Sequence, residues 1–123
     1  MPTVCHFEIP AEDIERAKKF YSELFGWDIQ KFEKHPNYWI FKTTHINGRS
    51  GITGAIERKR DENHSITCNI CVDCIDEYIK KVKELGGRIV VPKSAVPGVG
   101  YYAYCVDTEG NQFVLWETDV NAE

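Results

Sequence analysis

Residues Cys5 to Trp27 read Cys-His-Phe-Glu-Ile-Pro-Ala-Glu-Asp-Ile-Glu-Arg-Ala-Lys-Lys-Phe-Tyr-Ser-Glu-Leu-Phe-Gly-Trp, and their pattern decides the fold. Val4, Phe7 and Ile9 are strand formers, with His6 and Glu8 alternating around Phe7. Pro10 cannot donate to a ladder and is expected to end the strand. Asp13 is placed to cap a helix. Ile14, Ala17, Phe20, Tyr21, Leu24 and Phe25 fall on one helical face, and Gly26 supplies the left-handed residue that closes many helices.

The same grammar returns sixty positions later. Ser65 to Asp73 reads as a strand with Asp73 as a second cap, and Ile75, Ile79, Val82 and Leu85 form a second apolar helix face closed by Gly86. The pairs Asp13 and Asp73, Gly26 and Gly86, and Ile29 and Ile89 share this offset. So long a period is one supersecondary unit used twice.

Working outward, each helix is followed by strand signals. In the first half these cover 27–32, 38–43 and 52–57, the last containing Gly54, which marks a bulge or a close approach. In the second they cover 88–91, 101–106 and 112–117, with Pro92 to Gly100 read as irregular and Asp107-Thr-Glu-Gly-Asn111 as a hairpin turn. Helices are expected near 13–25 and 74–85. The fold class is α+β: two tandem βαβββ modules, about 3–60 and 64–120, of mainly antiparallel strands in one domain spanning 1–123.

Composition narrows the class further. A chain of 123 residues can bury a core without staples. A net charge of -4 argues against a nucleic-acid partner. No apolar run reaches the ~20 residues that span a bilayer, so no membrane partner is expected. Met-Pro-Thr-Val at the start carries no secretory pattern. Five cysteines, an odd count, fit free thiols in a reducing compartment, so the chain is expected to be cytoplasmic. Cys68, Cys71 and Cys74 are spaced like a metal-binding run, but on a strand leading into a helix they do not share a face and read as small buried thiols.

The tandem βαβββ pattern, His6 on the first strand, Phe20-Tyr21 and Leu24-Phe25-Gly26-Trp27 on the helix, and the hairpin Asp107 to Asn111 together resemble the vicinal oxygen chelate superfamily, the glyoxalase, bleomycin-resistance and extradiol-dioxygenase group. The stretch Val90 to Gly100 is similar to its glyoxalase-related subgroup. The resemblance implies curved sheets around a pocket. It also implies a divalent metal held by a His in the first strand and a Glu in the last strand of each module. Of these four positions only His6 carries the ligand. The others fall on Thr67, Val114 and Gly54 or Ala55, with His64, Glu57 and Glu117 off register. No cofactor is therefore expected, a divalent metal being the alternative. The Arg that glyoxalase I enzymes use to hold glutathione is replaced here by Pro10, which weakens a lactoylglutathione-lyase reading.

The remaining pocket residues are polar and aromatic. His6 and Glu8 share a face; so do Thr67, Asn69 and Cys71, Tyr102 and Tyr104, and Val114 and Trp116. This set suits a small polar organic ligand with a planar part. Two function classes follow. One is a metal-free binding protein. The other is a lyase, isomerase or dioxygenase-type enzyme, either metal-dependent or using His6 and Glu8 as acid and base, with Glu8 keeping His6 oriented or protonated. Tyr38, Trp39 and Phe41 put large rings on both faces of one strand, which leads to the expectation of a symmetric homodimer.

Overall fold

The structure, a computed structural model, describes residues 2–123. The chain forms two compact units, each a βαβββ module.

The first unit runs from His6 to Ile66. It contains most of strand β1 (Thr3–Ala11), helix α1 (Ile14–Phe25), and strands β2 (Gln30–Lys31), β3 (Tyr38–Phe41) and β4 (Thr53–Arg58). Their order is β2-β3-β4-β1: the meander is antiparallel and β4 lies parallel to β1. Asp13 caps α1 as expected, its Oδ1 accepting the Arg16 N–H at 3.0 Å, and Gly26 closes the helix at φ 72°.

The core of this unit joins Ile9, Ile14, Phe41 and Ile56, with Phe7, Ala17, Tyr21, Trp27 and Trp39 packed against it. Trp27 stacks on Phe41 at 4.3 Å. Gly54 sits under these rings: a Cβ there would lie 2.5 Å from Phe41 Cζ and 2.7 Å from Phe7 Cζ. The close approach is thus to aromatic side chains of the chain's own core.

Three expectations change in this unit. β1 runs past Pro10 to Ala11, because the Ala11 carbonyl still accepts the Lys59 N–H at 3.0 Å. The strand expected over 27–32 shrinks to Gln30–Lys31, since Trp27 and Ile29 are drawn onto the core. Phe20, Leu24 and Phe25 do not pack under α1; they are 58%, 57% and 56% exposed.

The second unit joins Thr67–Glu123 with the residues up to Cys5. It holds β5 (Thr67–Cys71), α2 (Ile75–Glu84), β6 (Arg88–Val96), β7 (Gly100–Val106) and β8 (Gln112–Thr118). The pairing repeats that of the first unit, in the order β5-β8-β7-β6, with β8 parallel to β5 and the other pairs antiparallel. Ile75, Ala103, Cys105 and Leu115 form its core, covered by Tyr78, Ile79 and Val82 of α2. Burial pushes the Cys105 thiol up to about 11, so it stays protonated.

Here too the structure departs from expectation. The N-cap is Cys74, whose side chain makes no capping bond, and not Asp73. The Ile75 N–H is taken instead by Glu117 Oε1 of β8 at 2.9 Å, a carboxylate placed at the positive end of the helix dipole. Leu85 is exposed rather than on the packed face of α2. The segment expected to be irregular after Val91 continues as β6 to Val96, absorbing Pro92 through two register shifts. The hairpin at 107–111 forms as read: Asp107 Oδ1 accepts the N–H groups of Glu109 and Asn111, each at 2.8 Å, and Gly110 takes φ 83°. These backbone donors hold the Asp107 carboxyl below its ordinary value.

The thiols are not all free. Cys5 and Cys71 form a disulfide, their Cα atoms 6.1 Å apart. Cys68, Cys74 and Cys105 are free. An odd count cannot reveal which strands place two sulfurs side by side. Among the described residues, no helix is long and apolar enough to cross a membrane.

Candidate functional site

The register of the first unit sorts its side chains. Phe7, Ile9, Trp39, Phe41 and Ile56 point to α1. The alternate positions lie on the helix-free face: His6 beside Thr53 and Glu8 beside Ala55 between β1 and β4, and Tyr38 opposite Glu57 between β3 and β4.

These residues form a hydrogen-bonded chain. Tyr38 donates its hydroxyl to Glu8 Oε2 at 2.5 Å. Its oxygen also lies 2.8 Å from His6 Nε2, and His6 Nδ1 lies 2.6 Å from Thr53 Oγ1. The proton positions follow from the inventory of donors. The single Tyr38 proton goes to the carboxylate, so His6 Nε2 must carry a proton to reach the Tyr38 oxygen. An uncharged imidazole then has an acceptor at Nδ1, which takes the Thr53 hydroxyl proton. All donors thus run one way, from Thr53 through His6 and Tyr38 to Glu8.

Burial of the ring lowers the His6 pKa from 6.5 to about 4, against a smaller raising effect of the Glu57 charge. His6 is therefore uncharged at neutral pH. Glu8 orients His6, through Tyr38, but does not keep it protonated as one expectation held. Glu8 itself is only 4% exposed.

Glu57 reaches the helix-free face without any bulge, because the β1–β4 register is regular. It is committed elsewhere, since its Oε1 lies 2.9 Å from His64 Nε2. The Arg60 N–H donates to His64 Nδ1 at 3.0 Å, so the His64 ring proton sits on Nε2 and faces Glu57. Of the three side chains that fell out of register as ligands, Glu57 and His64 are buried and pair with each other.

In the second unit, Thr67, Asn69 and Cys71 of β5 lie on the helix-free face. Asn69 pairs with Val114 and Cys71 with Trp116; Val114 in turn pairs with Tyr104 and Trp116 with Tyr102. The structure so gathers all seven residues on one surface. Tyr102 and Tyr104 meet edge to face at 5.8 Å. Cys71 is spent in the disulfide, and the Trp116 indole N–H is spent on Thr118 Oγ1 at 2.9 Å. Asn69, 6% exposed, holds its Oδ1 buried with no hydrogen-bond partner.

The residues at hand do not fit the divalent metal of the resembling enzymes. Both ring nitrogens of His6 are engaged by Thr53 and Tyr38. Glu57 is held by His64, and Thr67 and Val114 bring no imidazole or carboxylate. Among the described residues, no group of three or more His, Cys, Asp or Glu side chains could hold a metal ion.

Sequence reasoning missed Tyr38 and Thr53. Tyr38 is out of phase with Trp39 and Phe41 on a short strand, so period two already separated it from the core rings. Its distance to Glu8 and His6 depends on the β3–β4–β1 order, which composition does not encode.

Comparison with known proteins bears on the family and the fold. Residues 3–44 match the family model of the bleomycin resistance protein-like N-terminal region. A glyoxylase-like domain-containing protein of Didymella fabae is 33% identical over 117 residues, covering 88% of each chain. CFP32 of Mycobacterium tuberculosis, provisionally named a glyoxylase, is 24% identical over 91% of this chain, which spans only 44% of CFP32. Among solved structures, methylmalonyl-CoA epimerase of Streptomyces coelicolor superposes with a TM-score of 0.67 at 11% identity, covering 98% of this chain and 97% of its own, a likeness of fold.

Proposed function

The chain belongs to the glyoxalase-like family of the vicinal oxygen chelate superfamily, and on that premise we propose that it binds a small polar organic molecule with a planar part on the helix-free sheet face that each module carries, without the metal of its enzymatic relatives. The observation that supports this most is the engagement of both His6 nitrogens in the chain Thr53–His6–Tyr38–Glu8. With its protons spent internally, such a chain presents fixed acceptor oxygens that need little reorganisation when a polar ligand arrives.

A second reading is a metal-free enzyme with His6 and Glu8 as acid and base. Its one support is the Tyr38 bridge between them. Against it stands the His6 value of about 4, which makes the ring a weak base at neutral pH, where a general base works best near the operating pH.

A thermal-shift screen of the full chain against metabolites and antibiotics tests the binding reading. Compounds that raise the melting point of the wild type and lose most of that effect in Tyr38→Phe are expected. Elemental analysis showing one tightly held divalent metal per chain would overturn the metal-free part. A screen without any stabilising compound would overturn the rest.

A homodimer belongs to the same proposal. Its original support is gone, since Trp39 and Phe41 pack in the core and Tyr38 serves the polar chain. Exposed Phe20, Leu24 and Phe25 on α1 now support it. Light scattering near 14.2 kDa would reject it.

A further inference from the structure

Among the described residues, Asn69 differs from every other polar side chain on the two helix-free faces. Its Oδ1 is buried and accepts nothing, although buried acceptors are almost always satisfied. Three positions around it on this face supply it with no donor. Val114 has none, Cys71 is oxidised to the disulfide, and the Trp116 N–H already points to Thr118. Around it the face is aromatic: Trp116 beside Cys71, then Tyr102 and Tyr104 in edge-to-face contact. With its N–H spent, the Trp116 ring has only its π-surface and C–H edge to offer, which suits stacking.

We infer that the second module's face takes a planar aromatic molecule bearing an N–H or O–H group, stacked on Tyr102 and Trp116 beside the buried Tyr104 and donating to Asn69 Oδ1. This rests on the binding reading above and names the ligand class for it. Asn69 sets specificity. A ligand without a donor leaves the acceptor orphaned in the complex, so discrimination comes from a desolvated group that only the correct ligand pairs.

The test uses the full chain with indole and 1-methylindole, which share ring and stacking but differ in the donor. Binding is followed by NMR titration of the backbone and of the Asn69 side-chain amide. Indole is expected to bind about tenfold more tightly, the worth of one well-made hydrogen bond, and to shift the Asn69 amide. In Asn69→Leu the two probes are expected to bind equally, and the unliganded variant to melt at a higher temperature, since the orphan acceptor is gone. Equal binding of both probes to the wild type would overturn the donor requirement while leaving ligand binding intact. Failure of both would overturn the aromatic frame, and the thermal-shift screen then decides the binding reading separately. Should Asn69→Leu not fold, the wild-type comparison and Asn69→Ala still decide.

Discussion

Removing one oxygen tests the polar chain. Tyr38→Phe keeps the ring, its 6.1 Å contact with Phe32 and its place on β3, and deletes the hydroxyl that joins His6 to Glu8. The Glu8 carboxylate, 4% exposed, loses a donor at 2.5 Å, and His6 Nε2 loses its acceptor at 2.8 Å. A hydrogen bond to a carboxylate contributes about 1.5–3 kcal/mol net, and a buried group deprived of its partner adds to the loss. Tyr38→Phe should therefore destabilise by about 2 kcal/mol, or roughly 8 °C in melting temperature for a chain of this size. Urea denaturation followed by circular dichroism measures it, and an unchanged m-value would show that the unfolded state is not responsible. A loss under about 0.5 kcal/mol, the range of ordinary surface substitutions, would refute the bridging role of the hydroxyl.

Acid should weaken the fold through His6. Its folded value, about 4, lies below the ordinary 6.5. The unfolded chain thus binds the proton first, and stability is lost as pH falls from 6.5 toward 4, by at most on the order of 3 kcal/mol. His6→Gln should flatten that part of the pH profile, and an unaltered profile would contradict the burial of the ring. Gly54→Ala should destabilise by roughly 2–3 kcal/mol, because its Cβ collides with Phe41 and Phe7; a melting curve within experimental error of wild type would contradict the packing. Thiol titration in denaturant should find three groups, Cys68, Cys74 and Cys105, before reduction and two more after it; five before reduction would contradict the Cys5–Cys71 bond.

The fold was legible because its signals are local and repeated. Asp13 and Gly26 mark helix ends by chemistry that needs no tertiary context, and the sixty-residue offset to Asp73 and Gly86 betrays the second module. What escaped depends on strands distant in sequence. Glu117 replaces Asp73 as the cap of α2 because β8 passes beside the helix start. Cys5 meets Cys71 across 66 positions. On the site, period two was enough to group His6 with Glu8 and Thr67 with Asn69. It could not supply Tyr38, which reaches both His6 and Glu8 only through β4, nor show that Glu57 and His64 spend their charge-bearing atoms on each other.

Metal-independent binding is best tested by isothermal titration of the strongest compound from the thermal-shift screen, into chain dialysed against EDTA and again after zinc or nickel is restored. The expected result is one saturable site with the same dissociation constant in both states, because His6 and Glu57 are held by protein partners. Binding that vanishes in EDTA and returns with the metal would contradict it.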